Sequence, residues 1–406
     1  MDRPDRGGQI ALPEDLKRVN RRRIMGVFRR GVPVTIAEIH RETRISKPTV
    51  TRAVQHFCEQ GLVRSLGLGS TTSAGGKKPE LFQFADERRI LCLELWPRQG
   101  TLALCGLTGG VYALEHREAW MHNSLEQAFR PMAEAARAYL NAHGVALSAL
   151  YGVALCAPGT VNYKTRILRY NTHAPGWGSD VDLARLLKAA FGEDRAYYIE
   201  NAGKATGRAV LLDSAGHAGR RIVTLFTGWG ISACLIERGR VINGRDALIG
   251  EIGHMIVSDT DAGQCACGKR GCLESLAGRA GAQRLLAAEG VALPEGPPGA
   301  ALRRLFEASA GGSEPARRAV RRLAHWFAVA LHNLSLAYNQ ELVIFQGDYA
   351  WADAAFDACL KEELRQFRYY PDGAPFEIRY DRRDLSLLAA RGSVEPLREA
   401  YFRGMD

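Results

Sequence analysis

Three cysteines crowd into the eight positions from Cys265 to Cys272, with His254 eleven residues ahead of the first, and no other stretch of the chain restricts its folding so tightly. One imidazole and three thiolates can close a tetrahedral Cys3His site, a donor set that suits zinc, and Gly268 and Gly271 let the short loop fold around an ion. His254, Cys265, Cys267 and Cys272 are therefore expected to hold a structural zinc. The competing reading is a set of reduced, packed thiols, which is the expectation for the scattered Cys58, Cys92, Cys105, Cys156, Cys234 and Cys359. Nine cysteines so unevenly spaced over 406 residues do not make a disulfide framework.

A chain of this length exceeds one ordinary core and points to two or three domains. It has no run of eighteen apolar residues, and its start (MDRPDRGGQI) lacks the apolar stretch of a secretory signal, so no membrane association and a cytoplasmic location are expected. The net charge of +10 is unevenly placed: residues 1–85 carry 16 Lys and Arg against 8 Asp and Glu. A basic module on a nearly neutral body is the footprint of a nucleic-acid binder, because neutralising phosphates releases counterions. A solvated basic face is the alternative.

The pattern within that module sharpens the choice. Ile24, Val27 and Phe28 at helical spacing predict a helix over 14–29, ended by Gly31 and Pro33. Thr35-Ile36-Ala37-Glu38 reads as a capping box that opens a second helix ending near residues 41–43. Ser46 can cap a third, with Pro48 in its first turn and Val50, Val54 and Phe57 facing inward. Lys47, Thr49, Thr51, Arg52 and Gln55 then point outward, within reach of phosphates or base edges. Leu62-Val63-Arg64, a flexible basic tip over 67–79 and a return strand over 81–84 complete a wing, with Lys77 and Lys78 placed to meet the backbone or minor groove of double-stranded operator DNA.

From about residue 88 apolar strands alternate with helices, which predicts an α/β body. The strand candidates are 90–95, 102–107, 150–155, 196–199, 222–226 and 342–345. Thr227-Gly228-Trp229-Gly230-Ile231-Ser232-Ala233 joins two of them through glycines that permit tight turning and close approach to a ligand.

Glu251-Ile252-Gly253-His254 followed by Cys265-Ala266-Cys267-Gly268-Lys269-Arg270-Gly271-Cys272-Leu273-Glu274 resembles the signature of the ROK family of repressors and sugar kinases. Gly152 to Gly159 (GVALCAPG), Asn171 with Pro175-Gly176-Trp177, Glu200-Asn201 and the 227–233 loop extend the resemblance over nearly the whole chain. It implies a winged helix-turn-helix (1–85) followed by a two-lobed, actin-like and sugar-kinase-like (ribonuclease H-like) domain. The first lobe would span 86–205, completed by 385–406, and the second 206–384. It also implies a sugar cleft lined by Asn171, Asn201, Glu251, His254 and Glu274. Structural hydrogen bonding around the zinc loop is the alternative role for Glu251 and Glu274.

By the same resemblance, family kinases use an Asp in this cleft as general base toward the γ-phosphate, and its place here is held by Ala202, which cannot take a proton. Trp96 and Pro97, within Glu94-Leu95-Trp96-Pro97-Arg98, stand where glycines would let backbone amides approach phosphate. The loop at Gln346-Gly347-Asp348-Tyr349 is poor in glycine and adds an acid. A non-enzymatic, sugar-responsive DNA-binding regulator is expected, most simply a repressor of carbohydrate genes. The alternatives are an active sugar kinase with a DNA-binding arm and a constitutive DNA-binding protein with a dead cleft. Paired readers suggest a homodimer or homotetramer, with the Ala- and Leu-rich stretch 316–339 as the packing surface.

Overall fold

The computed structural model describes residues 13–69, 78–97, 99–118, 124–213, 217, 219–259, 263–288, 301–367 and 376–404, so Lys77, Arg98 and most of the wing tip lie outside it. The chain divides into two compact units. One holds the described residues up to Arg89 together with Gly106–Gly110 and the chain from Pro396 on; the other holds the rest.

In the N-terminal unit three helices, Pro13–Phe28, Ile36–Thr43 and Lys47–Glu59, are followed by strands Val63–Leu68 and Glu80–Phe84. The strand Val34–Thr35 pairs with the second of these, giving a three-stranded wing sheet. Ile24, Phe28, Ile39, Val50, Val54 and Phe57 make its core, as their spacing predicts. The capping box is present: the Thr35 hydroxyl accepts from the Glu38 amide at 3.1 Å, and the Glu38 carboxylate accepts from the Thr35 amide at 2.8 Å. Ser46 departs from expectation. It occupies the N-cap, but its hydroxyl pairs with that of Thr49 at 2.9 Å and caps no amide. From the far end of the chain, Arg398 donates to the carbonyls of Leu107 and Arg29, and the Tyr401 hydroxyl bonds to Asp86.

The body contains two five-stranded sheets with one strand order. In the first, Val111–Glu118, Gln99–Gly106, Arg89–Leu95, Leu150–Ala157 and Ala196–Asn201 lie side by side; in the second, Arg240–Val241, Ile231–Glu237, Arg221–Thr227, Leu342–Gly347 and Glu377–Asp381 repeat the arrangement. The hairpin partners are antiparallel and the later strands parallel in both. Each sheet buries its own core. The first packs on Leu125–Ala142 and Leu183–Phe191, the second on Glu314–Tyr338 and Ala354–Gln366, where Phe327, Phe345, Tyr349 and Phe356 meet largely edge to face.

The helix Glu314–Tyr338 corrects one expectation. Its Ala- and Leu-rich face, with Ala319, Leu323, Phe327 and Leu331, is turned into the chain's own core, so those residues are not an exposed packing surface. The same composition would suit either use, and the aromatic cluster beneath it decides. Among the described residues no helix is long and apolar enough to cross a membrane.

Candidate functional sites

The helix Lys47–Glu59 buries Val50, Ala53, Val54 and Phe57 and exposes Lys47, Arg52 and Gln55. Thr49 and Thr51 are half-buried, and the Thr51 hydroxyl donates to the Lys47 carbonyl of its own helix at 3.0 Å. The Arg52 Nε donates to the Pro48 carbonyl at 3.3 Å, which steadies the side chain and leaves its terminal nitrogens for a partner. Lys78 is exposed at the foot of the wing, whereas Lys77 lies outside the described residues.

His254, on the short turn Ile252–His254, meets Cys265, Cys267 and Cys272 so that all four donor atoms lie within 4.8 Å of one another. Cys265 Sγ is 3.6 Å from His254 Nδ1, and Cys267 Sγ is 3.6 Å from Cys272 Sγ. A tetrahedron with metal–sulfur bonds of about 2.3 Å has edges of about 3.8 Å, so the donors are spaced as such an ion requires. Gly271 makes the loop possible: its φ is +76°, and a Cβ there would stand 1.9 Å from the Ser258 carbonyl oxygen. This cluster could hold a metal ion.

With Nδ1 turned to the thiols, the other edge of His254 belongs to a small polar cavity shared with Asn201, Glu251 and Glu274. Four of the five residues expected to bind sugar thus come together. Asn171 does not line this cavity: it is fully buried, and its Oδ1 accepts from the His173 amide at 3.0 Å, fixing the loop that leads to Trp177. Asn201 is partly committed to structure, since it caps the helix Ala202–Arg208 through the Lys204 amide and donates to the Gly159 carbonyl at 2.7 Å.

Sequence reasoning passed over His173. Its Nε2 lies 3.5 Å from Glu274 Oε1, and this contact raises the His173 pKa. Burial pushes the Glu274 carboxyl up, but His173 and the Ile231 amide, which donates at 2.8 Å, more than offset it and hold the group below its usual range. Burial keeps Glu251 above its own usual range. The cavity measures about 50 Å³.

Beside it lies a cavity of about 750 Å³. Trp96 and Phe226 line both, stacked with ring centres 5.7 Å apart and planes within 7°. Ala202 is buried in the same apolar cluster, with Cys156, Ala205 and Ala389. The surroundings of Ala202 are therefore hydrocarbon and aromatic.

A winged helix-turn-helix carried with a duplicated, actin-like, sugar-kinase-like body defines the class of the molecule. Residues 99–380 match the ROK family and residues 15–67 the MarR family. The chain belongs to the ROK family. It is similar to a glucokinase of Halalkalibacterium halodurans, 28% identical over 61% of this chain and 77% of that one. It is also similar to the DNA-binding transcriptional dual regulator NagC of Escherichia coli, 21% identical over 90% of each chain. Among solved structures, a ROK family transcriptional regulator described as a homolog of the E. coli MLC protein superposes with a TM-score of 0.74 at 18% identity, covering 96% of this chain and 98% of that one.

Proposed function

We propose that the protein is a ligand-responsive DNA-binding transcription regulator, most simply a sugar-responsive repressor of carbohydrate genes, whose kinase-like body senses and does not phosphorylate. The observation that carries this reading is the stacked Trp96–Phe226 pair with Ala202 behind it. In a kinase the sugar hydroxyl, the base and the γ-phosphate must meet in line. Trp96 and Phe226 form a wall common to the two cavities, and on this reading they fill that meeting place, with the methyl of Ala202 at the base position. The similarity to NagC over nine-tenths of both chains supports the regulatory side.

Lys47, Thr49, Thr51, Arg52 and Gln55 contact the major groove, and Lys77 and Lys78 the DNA backbone or minor groove. The Cys3His cluster holds zinc as a structural ion, for which three thiolates and one imidazole are a fitting set. Asn201, Glu251, His254 and Glu274 take sugar hydroxyls, while Asn171 sets the loop that carries His173. The effector favours one of two arrangements of these side chains. That preference for one of two arrangements is what a switch requires. A homodimer or homotetramer would read paired half-sites.

The test is a binding assay with DNA fragments that the full-length protein selects from its own genome. Binding that weakens steeply with salt, falls about tenfold in Arg52→Ala and is relieved by one sugar from a panel supports the reading. The similarity to a glucokinase favours a second reading, an active kinase. Transfer of phosphate from ATP to any of those sugars, abolished in Glu251→Gln, would establish it instead.

A further inference from the structure

The residues of the helix Lys47–Glu59 that are expected to meet DNA are divided by their hydrogen bonds and by the faces they occupy. The hydroxyls of Thr49 and Thr51 are engaged at home, with the Ser46 hydroxyl at 2.9 Å and the Lys47 carbonyl at 3.0 Å. Lys47, Arg52 and Gln55 are exposed, and their terminal polar atoms have no partner among the described residues; the one side-chain bond of Arg52 is made by Nε.

Lys47 stands apart from the other two. With Thr51, Ser65, Pro79 and Phe82 it lines a groove of about 910 Å³ between this helix and the wing strands. An ammonium only donates and a phosphate oxygen only accepts, so the lysine suits a DNA strand lying in that groove. Glu59 and Glu80 line it too. Burial raises the Cys58 pKa and both carboxylates raise it further, which places them near Cys58, three turns along the helix from Lys47. Phosphates are repelled there, so the strand is held to the Lys47 end.

Arg52 and Gln55 lie on the exposed face, opposite Val50, Val54 and Phe57. Three positions separate them, about 4.5 Å along a helix axis, against about 3.4 Å between successive base pairs. Gln55 also borders the groove, but its carboxamide offers a donor and an acceptor, and a phosphate would leave the acceptor unmatched. In the major groove adenine presents one acceptor and one donor, N7 and N6, which match a carboxamide; guanine presents two acceptors, N7 and O6, which match a guanidinium fork.

We propose that Arg52 and Gln55 are the base-reading residues, taking a guanine and an adenine at neighbouring positions of the bound duplex, and that Lys47 holds the backbone without reading. The inference rests on the DNA-binding reading and adds to it the sequence that the DNA must carry.

The full-length protein is used to select duplexes from a random pool, and affinities for the selected duplex are then measured with base analogues. A guanine neighbouring an adenine is expected among the selected positions. Replacing that guanine by 7-deazaguanine, which lacks the N7 acceptor, weakens the parent about tenfold and leaves Arg52→Ala unaffected; 7-deazaadenine does the same for Gln55→Ala. Each variant loses the preference at its own position and keeps the other, which also shows that it is folded. Lys47→Ala weakens binding to selected and random duplexes alike and lowers the salt slope by about one. Selected duplexes without the guanine and adenine, an unchanged preference in either variant, additive losses from variant and analogue, or an altered preference in Lys47→Ala would each overturn the proposal. A protein that binds duplexes without selecting among them overturns this proposal alone, whereas one that binds no duplex removes the regulatory reading together with it.

Discussion

Ala202 is fully buried in an apolar cluster with Trp96 and Phe226, so an aspartate placed there would carry its charge among apolar side chains. An unpaired buried carboxylate costs several kcal/mol, and Ala202→Asp is expected to lower stability by about 2–4 kcal/mol in urea melts while yielding no phosphoryl transfer. A variant of full stability that phosphorylates a sugar would remove the basis for a sensing body. Asp86 shows the opposite case. Burial raises its pKa, but hydrogen bonds from Arg88 and Tyr401 outweigh burial and hold the carboxyl below its usual range. A group lowered in the folded state adds stability above the unfolded pKa and loses it as pH falls through the folded one. Asp86→Asn should therefore melt lower than the parent at pH 7, by about 1–2 kcal/mol, with the gap closing as the pH falls through and below the usual carboxylate range. At this scale the sequence was informative where spacing marks a cluster, as with His254 and the three cysteines that the fold brings together. It was silent on His173, because neither spacing nor residue type reveals that this ring turns toward Glu274.

At the scale of elements, the helix Ile36–Thr43 starts at a reciprocal cap whereas Lys47–Glu59 starts without one, although both begin at a hydroxyl residue. Thr35→Ala is expected to cost about 1 kcal/mol, and Ser46→Ala less than about half of that, read as shifts in the denaturation midpoint. Equal losses would mean that Ser46 caps in solution after all. The strands and the reader helices were legible because period and caps are local properties. The role of Glu314–Tyr338 was not, since an Ala- and Leu-rich face states only that something apolar covers it. What covers it, the cluster around Phe345 and Tyr349, comes from the strand and turn that follow the helix, and only the fold brings them back against it. The stacking of Trp96 on Phe226 escaped notice because one residue follows the strand Arg89–Leu95 and the other lies in Arg221–Thr227, and only the tertiary fold brings them face to face.

For the whole molecule, the cysteine loop offers the most direct check. Purified protein should carry about one zinc per chain by elemental analysis, and removing it with a chelator, or substituting Cys267→Ser, should lower the melting temperature by several degrees. Metal-free protein that melts unchanged would reduce the cluster to packed thiols. A sugar that raises the melting temperature, and a salt-sensitive DNA complex that the same sugar dissolves, would join the body to its reader.

The aromatic wall also bears on what lineages of this protein can become. Restoring the acid alone creates a buried charge, and cutting back Trp96 alone opens a void beside Phe226. On the regulatory reading, each of these single steps toward a kinase weakens the fold. Packing itself then opposes that drift, as a ratchet tooth holds a wheel.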